Sequence, residues 1–326
     1  MTTERTYTIL MPVYNDWPAV MKLLCMLDGE LKLIGHRPDV LLVNDGSTRP
    51  CPQSVLSDQS LSGFGSATVL SLATNLGHQR AIAIGLAHLA ASETQGDVLV
   101  MDSDGEDSPS DVPRLIAAAA ALDQPSLVLA HRTKRSETLA FRGFYTLYTW
   151  LFRVLTGNGI RFGNFSLIPA EYVPRLARMP ELWNHYAAAL IKSRLPRLSV
   201  PTVRAARLCG ASKMNFVALV LHGLSAISVF NDVVLVRLLC VSLCFALACC
   251  VLIIGIVMIR FLTDWAIPGW ATMAVGMATL LFSNALLLAA SFVFYALSNR
   301  MMNCFVPARD YETFVEDVVV LRKGSA

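Results

Sequence analysis

Asp97-Val98-Leu99-Val100-Met101 runs straight into Asp102-Ser103-Asp104-Gly105-Glu106-Asp107-Ser108-Pro109, a short apolar stretch that stops in a cluster of carboxylates. The first part has the length and composition of a buried strand, and the second is the polar turn that ends it. The same arrangement recurs along the first half of the chain. Thr6–Val13 (TYTILMPV) is followed by Tyr14-Asn15-Asp16, Asp39–Val43 by Asn44-Asp45-Gly46-Ser47, and Ala67–Leu72 leads to Asn75-Leu76-Gly77. Helical segments at Trp17–Leu33, Gln79–Leu89 and Pro109–Leu122 lie between the strands, and Ser126–Ala130 reads as a further strand. Alternating strands and helices predict an α/β domain, Rossmann-like, with a mostly parallel sheet. Ligands of such sheets bind beyond the carboxyl ends of the strands, so these turns are expected on one functional rim.

Asp102, Asp104 and Glu106 stand at alternating positions with no basic residue close in sequence to neutralise them. Hard oxygen ligands in this number suit Mg²⁺ or Mn²⁺ shared with a substrate diphosphate. Alone, such a turn is better read as a solvated acidic loop. Its company on the rim reverses that reading.

The 326 residues are 54% hydrophobic and only 16% charged, too apolar for an ordinary soluble enzyme of this length. The excess is local: Leu238–Ile259 and Ala271–Ser298 contain no charged residue, and each exceeds the roughly 20 residues that a membrane-spanning helix needs. The linker Arg260–Trp270 (RFLTDWAIPGW) carries Pro268-Gly269 for a tight turn and Trp265 and Trp270 at positions favoured at a membrane interface. Arg237 precedes the first span, and Arg300, Arg309, Arg322 and Lys323 follow the second, which predicts that both ends face the cytosol. The N-terminus lacks the pattern of a signal peptide. Of eight cysteines, four (Cys240, Cys244, Cys249, Cys250) fall in the first span and the rest lack metal-ligand spacing, so all are expected as reduced thiols. A net charge of +3 argues against a nucleic-acid partner and suits modest attraction to anionic lipid.

Taken in order, Pro12-Val13-Tyr14-Asn15-Asp16, Val43-Asn44-Asp45-Gly46-Ser47, Asn75-Leu76-Gly77 through Ala81 to Gly85, Asp102–Pro109, His131-Arg132, Gly163-Asn164-Phe165, Arg207–Lys213 and Pro268-Gly269-Trp270 form an ordered set. That set resembles the family-two inverting glycosyltransferases of the GT-A fold, and within them the polyprenyl-phosphate sugar transferases similar to dolichol-phosphate mannose synthase. The resemblance covers nearly the whole chain. It implies that Pro12, Tyr14, Asp16 and Asp45 hold the nucleoside, with Asp45 meeting the base. It also implies that Asp102, Asp104 and Glu106 hold the Mg²⁺ or Mn²⁺ and the diphosphate, and that Arg132, Arg142, Arg207 and Lys213 surround the phosphate groups. Asp104, Arg132, Arg207 and Lys213 are thus the expected catalytic set. A divalent ion and guanidinium forks would stabilise the departing diphosphate where its charge forms. Arg135, Arg153 and Arg194 are read as solvated charges.

Two positions depart from the family pattern. Asn44 stands where a first acidic residue is usual, and Asn164 replaces the aspartate of a G-D-F motif considered for a base or for acceptor positioning. Asp107 and His185 are the reserve candidates for a base. His222 is read as structural.

The expected organisation is a nucleotide-sugar domain over 1–212, a helix over 213–232 that reads equally as an interfacial amphipathic helix and as a helix packing on the sheet, a two-helix transmembrane anchor over 233–298 and a cytosolic tail over 299–326. The implied reaction is inverting transfer from a nucleotide sugar to a polyprenyl phosphate, at the cytosolic face of a bacterial inner membrane, by a homo-oligomer. Rival readings are a same-fold transferase extending a lipid-linked saccharide or polysaccharide and a non-catalytic nucleotide-sugar receptor. The first lacks a Q-x-x-R-W segment here, and the second is opposed by the retained acids and cations. A channel is opposed by spans with no charge inside them.

Overall fold

A computed structural model of the chain describes residues 6–52, 63–92, 96–132, 139–160, 162–210, 216–263, 267, 269–301 and 304–322. The chain divides into two compact units, one of residues 1–150, 158–229 and 304–326, the other of residues 151–157 and 230–303.

The first unit opens with β1 (Tyr7–Val13), α1 (Trp17–Ile34), β2 (Asp39–Asn44), β3 (Ala67–Leu72), α2 (His78–Ala91) and β4 (Asp97–Val100). A 3-10 turn at Pro109–Asp111 leads into α3 (Val112–Ala120), then β5 (Leu127–Arg132) and α4 (Leu139–Thr156), which runs on into the second unit. β6 (Ser166–Ile168), α5 (Val173–Ala177), α6 (Tyr186–Lys192), β7 (Arg197–Thr202) and α7 (Phe216–Ser228) follow. The second unit holds α8 (Asn231–Leu262) and α9 (Trp270–Met301), after which α10 (Pro307–Asp310) and β8 (Val315–Arg322) return to the first.

The strands form one sheet in the order β7-β5-β6-β4-β1-β2-β3-β8, parallel except at β6 and β8. The mostly parallel α/β sheet read from the apolar runs is therefore present. Side-chain alternation splits its core in two. Ile9, Met11, Leu42 and Leu99 pack on one face with Leu23, Leu27 and Leu115. Leu10, Val43, Val98 and Val100 pack on the other with Ile82, Leu86 and Leu190. Gly85 lets α2 lie directly on the sheet, since a Cβ there would stand 2.6 Å from Leu10 Cδ1 and 2.8 Å from Val43 Cγ2.

The sheet corrects one boundary. The expected tail, 299–326, is not separate, because β8 pairs antiparallel with β3 from Val315–Leu72 to Arg322–Ala67. The outer edge of β3 would otherwise present a row of unpaired backbone groups.

In the second unit, α8 and α9 are each 32 residues long. At about 1.5 Å per residue each outreaches a hydrocarbon core of about 30 Å. Both are long and apolar enough to cross a membrane, and little of either is buried in protein. Buried Ser242, Ala246, Cys249 and Ile256 on α8, with Ala278, Ala285 and Ala289 on α9, recur at spacings of three, four or seven residues, and small side chains let such helices approach closely. Pro268 and Trp265 of the linker lie outside the described residues.

Candidate active site on the carboxyl rim

The turns after β1 and β2 are tied together. Asn15 takes a left-handed backbone (φ 56), and its N–H donates to Ser47 Oγ at 2.9 Å while its Oδ1 accepts from Thr48 Oγ1 and Arg49 N. Such strain in a non-glycine residue is held only where neighbours fix it. Gly46, also at positive φ, crosses the β3 turn so closely that a Cβ would stand 2.5 Å from Asn75 N. Asp45 explains the crossing: its carboxylate accepts from Leu76 N at 2.7 Å and from Gly77 N at 3.0 Å. Burial raises its pKa against the pull of those two bonds. At 2% exposure the carboxyl fastens the two loops together. Asn44, the departure noted above, accepts Ser47 N–H at 3.1 Å.

Pro12 lies buried within β1, paired with Val43. Its missing N–H faces β4, where the ladder has already ended at Leu10–Val100, so a proline fits in this central strand. Tyr14, 39% exposed, does stand on the rim.

The acidic turn is gripped by a second segment. Leu208 N donates to Asp104 O at 2.9 Å and Ala205 N to Glu106 O at 3.0 Å, and Leu208 fills the space that a Gly105 side chain would need. This strand-like crossing lays two arginines on the carboxylates. Arg204 Nε donates to Glu106 Oε2 at 2.9 Å. Arg207 Nη2 donates to Asp16 Oδ2 at 2.8 Å, its Nη1 stands 3.3 Å from Asp104 Oδ2, and its Nε donates to Cys209 O. Arg207 thus joins the turns after β1 and β4.

The Glu106 carboxylate is paired with Arg204, and no group of three His, Cys, Asp or Glu side chains arranged for a metal occurs among the described residues. The pKa of Asp104 is raised first by burial, opposed by the Glu106 N–H, and then by the charges of Asp102 and Glu106, against which Arg207 counts for less.

Asp102 has different company. His78 Nε2 lies 2.9 Å from its Oδ1, and Asn164 Nδ2 donates to the same oxygen at 3.2 Å. Asn164 Oδ1 in turn accepts from Gln79, whose Oε1 accepts Tyr186 N–H. Burial opposes a charge on His78, but Asp102, Asp104 and Asp107 together hold its pKa above the ordinary imidazole value. Asn164 is therefore a donor braced from behind.

Neither reserve base is placed for that work. Asp107 is 3% exposed and its Oδ2 accepts Asp102 N–H, while burial and then the charge of His222 push His185 down to about 3. His78, Gln79 and Arg204 escaped the sequence reading. Their only local signals were proximity to Gly77 and to Arg207. The side chains of Arg132 and Arg142, and Lys213 entirely, lie outside the described residues.

Residues 8–170 match glycosyl transferase family 2. The chain belongs to that family. The match runs from β1 through β6 and takes in the turns carrying Asp16, Asp45, Asp102, Asp104 and Asn164, so the GT-A-type domain expected from the ordered motifs is the one observed. Curated relatives include the undecaprenyl-phosphate 4-deoxy-4-formamido-L-arabinose transferases of Enterobacter sp. (strain 638) and Klebsiella pneumoniae subsp. pneumoniae, 26% and 24% identical over 225 residues. Those matches cover 65% of this family 2 chain, which spans 64% of the relatives' length. Mannosyl-3-phosphoglycerate synthase from Rubrobacter xylanophilus superposes with a TM-score of 0.46 at 13% identity, over 69% of this chain and 72% of that one, too distant to bear on the site.

Proposed function

We propose that the chain transfers a sugar from a nucleotide sugar to a polyprenyl phosphate, with inversion. The observation that carries this reading is the rim on which Arg207 joins Asp16 and Asp104 beside Asp102. The named acceptor of the two curated relatives and the pair of apolar helices support a lipid phosphate as the second substrate.

An acceptor phosphate oxygen attacks the anomeric carbon. The bond from that carbon to the diphosphate oxygen breaks, and its electron pair leaves with the nucleoside diphosphate. A phosphomonoester with a second pKa of about 6 is largely a dianion near pH 7, so the attack needs no general base and Asn164 is compatible with it. Arg207 has the fork to receive charge developing on the leaving group. Asp102 and Asp104 fit a divalent cation, because burial and mutual repulsion leave Asp104 short of positive charge. Held by Asp102 and Asp104, Mg²⁺ or Mn²⁺ would supply Lewis-acid stabilisation of the leaving group. The proposed setting is the cytosolic face of a bacterial inner membrane, with the enzyme a homo-oligomer.

The test is purified full-length protein incubated with a panel of nucleotide sugars and undecaprenyl phosphate. The expected product is a lipid-linked monosaccharide formed only with a divalent ion. Full turnover in excess chelator would remove the metal from the proposal, and transfer only to a lipid-linked sugar alcohol would overturn the acceptor assignment.

A further inference from the structure

His222 lies in the middle of α7, and its Nε2 is 3.2 Å from Nε2 of His185, with the ring centroids 4.4 Å apart. His185 is the N-cap residue of α6, and its Nδ1 accepts Ala188 N–H at 3.3 Å. A neutral imidazole carries one proton, so with Nδ1 engaged as an acceptor that proton sits on Nε2 and points at His222. His222 Nε2 must then accept, which leaves the proton of His222 on Nδ1. Burial lowers the pKa of both rings, that of His185 to about 3. His185, 3% exposed, thereby sets the tautomer of a partly exposed neighbour.

Two observations say where that Nδ1–H belongs. His222 has no other hydrogen-bond partner among the described residues, and no unsatisfied polar side-chain atom is buried among them, so the donor is open to a ligand. Tyr186, next in sequence to His185, donates its N–H to Gln79 Oε1, Gln79 donates to Asn164, and Asn164 donates to Asp102, so the His185–His222 pair is linked to the Asp102 side of the rim, whereas Asp16 and Asp104 face Arg207. Helix geometry adds a direction. Val217, Leu221 and Leu224 are exposed along one side of α7, while Ala226 and Val229, on the side of His222, are 1% exposed. One face of this helix is apolar and open, and the other carries His222 against His185.

We infer that His222 binds the acceptor: its Nδ1–H, held in that tautomer by His185, donates to a phosphate oxygen of an isoprenyl phosphate approaching Asp102 along α7. This assignment rests on the proposed function. His222 is then a substrate-binding residue and His185 a positioning residue acting through it.

Steady-state kinetics of the full chain test it, with undecaprenyl phosphate and a water-soluble short-chain isoprenyl phosphate as alternative acceptors. His222→Phe keeps a ring and loses the donor, and it is expected to raise the acceptor KM roughly ten- to hundredfold, the range for a hydrogen bond to a charged group. The nucleotide-sugar KM should stay within twofold. His222→Asn returns an amide donor near the Nδ1 position and should recover most of the loss. His185→Asn preserves the α6 cap but frees the His222 tautomer, and should raise the acceptor KM a few-fold with kcat little changed. An acceptor KM within twofold of wild type in His222→Phe overturns the assignment, as does an equal rise in the nucleotide-sugar KM. A defect confined to the long-chain acceptor also overturns it, because it makes α7 a packing helix rather than a phosphate site. If wild type transfers to neither isoprenyl phosphate, the proposed function fails and takes this assignment with it.

Discussion

Arg207 shows why the chemistry of this rim is set by side-chain shape as well as charge. Its three donor nitrogens serve Asp16, Asp104 and the Cys209 carbonyl, in different directions, from a side chain only 18% exposed. An ammonium is a compact point charge on a flexible stem and cannot hold all three at once. Arg207→Lys is therefore expected to lower kcat at least tenfold and to weaken nucleoside diphosphate binding, with the fold intact by circular dichroism. Turnover within twofold of wild type would show that only the positive charge matters. Asp45 and Glu106 make the complementary point. Each is a carboxylate in a rim turn, and each spends itself on the protein, one on backbone N–H groups and one on Arg204.

Among the elements, β8 is the one whose role depends most on what it meets. Val315–Arg322 alternates little and follows two apolar helices, yet it completes the sheet along β3, with register shifts at Ala67/Thr68 and Ser71/Leu72. Each ladder hydrogen bond contributes about 0.5–1.5 kcal/mol net. Truncation after Phe314 should therefore lower the thermal midpoint of the detergent-solubilised protein clearly. It should also promote self-association through the bared edge of β3, seen by light scattering. An unchanged midpoint in a monodisperse sample would mean that β8 adds nothing to the sheet's stability.

At the scale of the whole molecule, a sheet with two buried faces is joined in one chain to two long helices whose apolar side chains are mostly uncovered by protein. So much exposed apolar surface is stable only in lipid or in an assembly. Cell membranes containing the full chain should retain it through alkaline carbonate washing and release it only with detergent. Release by carbonate would make α8 and α9 something other than spans.

The sequence by itself determined whatever depends on local pattern. Strand-length apolar runs located β1, β2, β3, β4 and β5, the first four leading into turns that carry Asp or Asn, because a strand buried on both faces must be apolar and must stop at polar residues. Uncharged runs located α8 and α9 because no backbone of that length crosses lipid carrying many charges. Ordered motifs located the rim and placed Asp16, Asp102, Asp104 and Arg207 on it. Only the tertiary structure decided where each polar side chain spends its bonds, since Asp45 meets Gly77 across 32 residues and Arg204 meets Glu106 across 98. The same holds for β8, whose partner lies some 250 residues earlier, and for His185, which bonds His222 across 37. Partners so far apart in sequence leave no periodicity to read, because contact between them is created by the fold.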